Sequence, residues 1–147
     1  MADSLEIKIG YESSEYVFLT VTGWSVDICW WLDCEVSVFL GTFTATVAGE
    51  MLTFDELQSF QDSLEQLYAT LHGKAALYSI DDWIELELTG NGLGGVSLRG
   101  HIRDTRRNQL TFHFDLDQTF LPKIIAQIKS VLNAIRNQRG GSRSLTA

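Results

Sequence analysis

An α+β fold is predicted: a curved antiparallel sheet of about eight strands with two helices packed on one face. Three observations lead there. Apolar residues recur at a period of two through most of the 147 residues, the mark of strands with one buried face. Two segments change to steps of three and four, the mark of amphipathic helices. The order is about four strands, a helix, four strands and a helix, without the strand–helix alternation of a parallel sheet. A closed eight-stranded barrel is the alternative, since meanders of this size can close. With 45% hydrophobic and 20% charged residues, the chain can bury a core. The expected organisation is one domain over 1–138 and a flexible tail over 139–147, around Gly140-Gly141-Ser142.

The strands come first. Leu5, Ile7 and Ile9 alternate with Glu6 and Lys8, and Val17, Leu19 and Val21 with Phe18, Thr20 and Thr22. A long strand follows from Ile28 to Leu40. It places Trp30, Leu32, Cys34, Val36, Val38 and Leu40 on one face, and Cys29, Trp31, Asp33, Glu35, Ser37 and Phe39 on the other. Leu40-Gly41-Thr42-Phe43 reads as a tight type II′ hairpin, with glycine where positive φ is required. That turn sets Val38 opposite Ala45 and Val36 opposite Val47.

The period changes at residue 53. Thr53-Phe54-Asp55-Glu56 is a capping box, in which hydroxyl and carboxylate each accept from the other residue's backbone N–H. Leu57, Phe60, Leu64, Leu67, Tyr68 and Leu71 form a helical stripe. Gly73 stands where a left-handed C-terminal cap is expected. The spacing predicts a helix over 54–72, with His72 in its last turn favouring the dipole.

Strands resume at Ala75–Ile80 and Trp83–Thr89. Residues 90–95 read as a glycine-rich turn rather than a phosphate cradle, because the Lys-Ser/Thr ending is missing. Val96, Leu98 and Ile102 then alternate with Ser97, Arg99, His101 and Arg103. Gly100 falls at an inward position and marks a bulge or a close approach by a covering helix. Residues 104–108 form a charged turn. Leu110, Phe112, Phe114 and Leu116 alternate with Thr111, His113, Asp115 and Asp117. Thr119 is placed to cap a last helix with Pro122 in its first turn. Its stripe is Leu121, Ile124, Ile125, Ile128, Val131, Leu132 and Ile135.

Charge bounds the partners. The net charge is −8, but residues 1–102 carry 16 acids and 3 bases, and the remainder 3 acids and 8 bases. Such a body repels phosphate, which disfavours nucleic acid, and attracts a basic partner. No apolar run approaches the roughly 18–20 residues of a membrane span. The first residues lack the basic and apolar regions of a signal peptide. Cys29 and Cys34 lie on opposite faces of one strand and form no metal-type pair, so reduced thiols in a cytoplasmic setting are expected.

The polar sheet face holds the candidate site. Turn lengths place Glu85 opposite Arg99, Arg99 opposite Asp115, and His101 opposite His113. These groups read as cross-strand ion pairs. They also read as a set with two histidines and carboxylates suited to a divalent metal or acid–base work, which Arg99 at the centre opposes. A small-ligand carrier is a third reading if the sheet closes. Trp31, Phe39 and Trp83 fall on the same nominally polar side. An aromatic patch rimmed by Asp33, Glu35, Glu85 and Glu87 suits a protein interface. The candidate partner-binding residues are thus Trp31, Asp33, Glu35, Trp83, Glu85, Glu87, Arg99, His101, His113 and Asp115. No nucleophile elbow and no zinc motif is present, and no cofactor is called for. An open sheet edge offers a surface for a homodimer.

From about residue 28 to 135 the chain resembles the WapI-type immunity proteins, bacterial proteins that protect a cell from the toxic tip of a contact-dependent toxin. The stretches that carry the likeness are Thr53-Phe54-Asp55-Glu56-Leu57, Gly73-Lys74-Ala75, Trp83-Ile84-Glu85-Leu86, Val96 through Asp104, and Phe112 through Pro122. They concern packing and capping, and no functional residue transfers with them. The resemblance implies a non-enzymatic, stoichiometric inhibitor of a protein toxin. Toxin domains of that kind are often basic nucleases, which an acidic inhibitor can meet by mimicking the charge of nucleic acid.

Overall fold

The computed structural model describes residues 5–25 and 30–137. Eight antiparallel strands and two helices make an α+β fold, as predicted. The strands are shared between two four-stranded sheets, neither closed into a barrel. The first sheet is the meander β1 (Glu6–Gly10), β2 (Glu15–Trp24), β3 (Trp31–Leu40) and β4 (Thr44–Thr53). Helix α1 (Phe54–Thr70) follows. The second meander is β5 (His72–Tyr78), β6 (Ile84–Asn91), β7 (Gly95–Arg103) and β8 (Gln109–Asp117). A short 3-10 turn (Gln118–Phe120) leads into α2 (Leu121–Asn137). Helix α1 packs on β5 and on α2, and α2 on β1, so one core cluster draws on both sheets and both helices.

The first hairpin has the expected register, with Val38 opposite Ala45, Val36 opposite Val47 and Gly41 at φ 81°. Beyond it the register shifts. Leu32 pairs with Leu52 while Asp33 pairs with Glu50, so Met51 is an inserted bulge residue. Both Met51 and Leu52 are therefore buried, although they are neighbours in sequence. β3 begins only at Trp31. Trp30 has left-handed backbone (φ 51°) and stacks on Phe54 at 4.2 Å. Ile28 and Cys29, placed in this strand by the pattern, lie outside the described residues.

The capping box of α1 is present, with Glu56 N–H donating to Thr53 Oγ1 (3.1 Å) and Thr53 N–H to Glu56 Oε1 (2.9 Å). The C-terminal end differs from expectation. Leu71, not Gly73, takes the left-handed cap (φ 58°), because His72 is already paired with Asn91 in β5. His72 is thus a strand residue and has no part in the helix dipole. At the other helix the cap is Asp117 rather than Thr119. Its side chain accepts from Thr119 N–H (2.9 Å), and the 3-10 turn it opens runs into α2. The seven stripe residues of α2 are all buried.

Gly100 marks neither a bulge nor a helix approach. The β6–β7–β8 register runs through it without a shift. A Cβ there would stand 2.5 Å from the Glu85 carbonyl oxygen and 3.1 Å from the Phe112 ring, so the close neighbours are strand backbone and a cross-strand aromatic. Gly90 and Gly95 belong to β6 and β7, which leaves a three-residue turn at 92–94.

Candidate functional site

The predicted site residues divide between the two sheets. Trp31, Asp33 and Glu35 lie on β3; Glu85 and Glu87 on β6; Arg99 and His101 on β7; His113 and Asp115 on β8. Trp83 sits just before β6. Its ring packs over Gly49 of β4, where an added Cβ would lie 2.9 Å from it. Phe39 stacks on Tyr16 at 4.5 Å. It is eight residues from Trp31, about 26 Å along a strand. Trp83 and Phe39 therefore serve separate neighbourhoods.

On the second sheet the pairing is slipped by two from the expected one. Glu85 faces His101, Glu87 faces Arg99, Arg99 faces His113, and Ser97 faces Asp115. Two turns account for the slip. In the first, the Asn91 side-chain oxygen accepts from Leu93 N–H and Gly95 N–H, and Gly92 and Gly94 take positive φ. In the second, Asp104 accepts from Arg106 N–H and Asn108 N–H, and Arg107 is left-handed at φ 71°. The first is a loop of three residues and the second of five, each with its own polar clamp, which parity alone does not disclose.

The shifted register creates a polar network that includes a residue missed in the sequence. Asp82, left-handed at φ 61°, lies 2.9 Å from His101 Nε2 and 2.6 Å from Arg103 Nη1. Arg103 in turn donates to Gln109 Oε1 at 2.6 and 3.2 Å. Asp82 is held by its N–H to Ser79 O (2.9 Å), and the buried Ser79 hydroxyl donates to Met51 O at the bulge (2.7 Å). The sequence signal for this role is the Asp81-Asp82 pair, since aspartate tolerates the left-handed region that Asp82 takes. Glu87 meets Lys74 at 3.4 Å and Tyr78 Oη at 3.3 Å.

Glu85, Glu87, Arg99, His101 and His113 line one open groove of about 420 Å³, while Asp115 lies outside it beside the 92–94 turn. His101, His113 and Asp115 do not meet as a ligand set. The group with metal-type spacing among the described residues is Asp82, Glu85 and His101, within 4.8 Å of one another. Arg103 already occupies the second oxygen of Asp82, and a fixed cation there opposes a metal ion.

The first sheet offers simpler electrostatics. Asp33 stands directly opposite Glu50, and Glu35 is the next outward residue of β3. No ion pair reaches these three carboxylates among the described residues. Glu50 was missed as a site residue, yet extending the 38–45 register residue by residue leads to its pairing with Asp33. None of the described helices is long and apolar enough to cross a membrane.

No individually curated protein matches the chain. Residues 5–136 match the model of the immunity protein WapI-like family. That span takes in both sheets and both helices, and the chain belongs to the WapI-like immunity protein family.

Proposed function

We propose that this chain is a non-enzymatic immunity protein that neutralises a bacterial toxin domain by stoichiometric binding in the cytoplasm. The observation that carries this reading is the family match over residues 5–136. Two features support it. Several polar groups of the second sheet are engaged with one another: His101 with Asp82, Asp82 with Arg103, Glu87 with Lys74 and Tyr78. Pairs of this kind tie neighbouring strands of the sheet together. Asp33, Glu35 and Glu50 of the first sheet, by contrast, meet no cation among the described residues, and the charge over residues 1–102 is strongly negative. A basic toxin surface would be steered to such a body, with an association rate that falls as salt rises.

The test is protection of cells. The toxin domain encoded beside this chain's gene is expressed with and without it. Growth restored by the chain, together with capture of the toxin at micromolar concentration, supports the reading. Toxicity unchanged and no capture removes it.

A further inference from the structure

We propose that the free edge of β4, from Thr44 to Glu50, receives an extended, positively charged segment of the toxin as a fifth strand of the first sheet. The inference rests on the function proposed above and adds how the partner is recognised.

The four sheet edges are not alike. On β1 the Gln127 side chain of α2 accepts from Lys8 N–H (2.9 Å) and donates to Lys8 O (3.0 Å), taking both backbone groups at that point. On β5 the Ser63 hydroxyl of α1 accepts from Ala76 N–H (3.3 Å), and α1 covers the strand. On β8 Tyr11 Oη accepts from Asp117 N–H (3.1 Å). Side chains from other elements thus engage β1 and β5, as natural sheets require to avoid stray pairing, whereas β8 is engaged only at its last residue. Among the described residues nothing bonds the backbone of β4 on its outer side between Thr44 and Glu50.

The phase of the ladder identifies the free groups. Leu40 N–H donates to Phe43 O (2.8 Å), so hydrogen-bonded pairs fall at Val38/Ala45, Val36/Val47 and Cys34/Gly49. The N–H and C=O groups of Thr44, Thr46, Ala48 and Glu50 therefore point away from β3, and all four residues are exposed. The segment Thr-Ala-Thr-Val-Ala-Gly-Glu contains no proline, no lysine and no inward charge, the devices that blunt an edge. Strand addition uses such an edge for affinity, and side chains at alternate positions for specificity.

Charge selects the occupant. A strand laid along β4 sends alternate side chains to the face that carries Glu50, Asp33 and Glu35. Lysine or arginine at those positions would neutralise carboxylates that have no cation. A second copy of this chain would instead bring another net charge of −8 and another Glu50 to the same line.

The experiment uses the full chain and the toxin domain encoded beside its gene, with calorimetry and amide hydrogen exchange. On binding, exchange slows at Thr44, Thr46, Ala48 and Glu50. Thr46→Pro, which deletes one outward N–H, binds at least tenfold more weakly with its melting temperature checked against the parent. Glu50→Lys, at an exposed position, binds at least tenfold more weakly and serves if the proline variant does not fold. Protection confined to β8, or full binding by Thr46→Pro or Glu50→Lys, overturns the edge assignment and leaves the immunity reading intact. Protection of the same β4 amides by raising the concentration of the chain alone assigns the edge to self-association and overturns the proposal. No binding by the parent overturns both.

Discussion

Asp33 and Glu50 face each other across β3 and β4 in a non-hydrogen-bonded pair, the closer of the two antiparallel spacings. Like charges so placed destabilise the free protein. Glu50→Gln is therefore expected to raise stability by about 0.5 kcal/mol, by the magnitude of cross-strand pairs. The gain shrinks in high salt, since these carboxylates are open to solvent. Urea unfolding at low and high salt checks both. A loss of stability would show that Glu50 makes a favourable contact instead.

Gly100 and Gly49 test packing at two kinds of neighbour. A Cβ on Gly100 meets a backbone carbonyl at 2.5 Å, and one on Gly49 meets the edge of the Trp83 ring at 2.9 Å. Backbone in a ladder has little room to yield, whereas a partly buried ring can tilt. Both alanine variants are overpacked, at a cost of about 1–3 kcal/mol, and Gly100→Ala is expected to cost more. Gly49→Ala should also shift the tryptophan emission. Equal stabilities would remove the distinction.

Cys34 is buried on β3, with its Sγ 3.7 Å from Leu32 O. Burial pushes its thiol pKa far up, and the adjacent Asp33 charge adds to the rise. The thiolate is the reactive form. In a Cys29→Ser variant, Cys34 should resist a disulfide reagent at pH 8 until the protein unfolds. Rapid labelling of the folded variant would contradict this placement.

Asp104 organises the β7–β8 turn. Its carboxylate is held below the ordinary value of 3.8, first by the Asn108 side-chain amide, then by Asn108 N–H, with Arg106 N–H and its charge adding to the effect. A depressed carboxyl contributes stability that is complete above its unfolded value and is lost as pH falls through the folded one. An NMR titration should place its midpoint below 3.8, with the Arg106 and Asn108 amides following it. In Asn108→Ala the midpoint should rise. An unmoved midpoint would show that the amide is not the cause.

The sequence carried those parts of the fold that depend on local periodicity. The capping box at Thr53–Glu56, the stripe of α2 and the Val36–Val47 register follow from spacing alone, because each is fixed within a few residues. The bulge at Met51 was hidden, since it depends on a partner 28 residues away: the Ser79 hydroxyl that satisfies the Met51 carbonyl. The candidate site was legible as a list of outward residues but not as an arrangement. Clamped turns at Asn91 and Asp104 moved each expected pair of β6, β7 and β8 by two, and Trp83 turned to the β4 backbone. The resemblance to an immunity family was legible because the matching stretches are caps and strand ends that fix the fold.

The central claim is that an acidic, non-catalytic body captures a basic toxin domain one to one. Calorimetric titration of the full chain with that domain, at two salt concentrations, tests it most directly. The account predicts a single 1:1 transition with submicromolar affinity that weakens steeply with salt. No binding, or binding indifferent to salt, would contradict it.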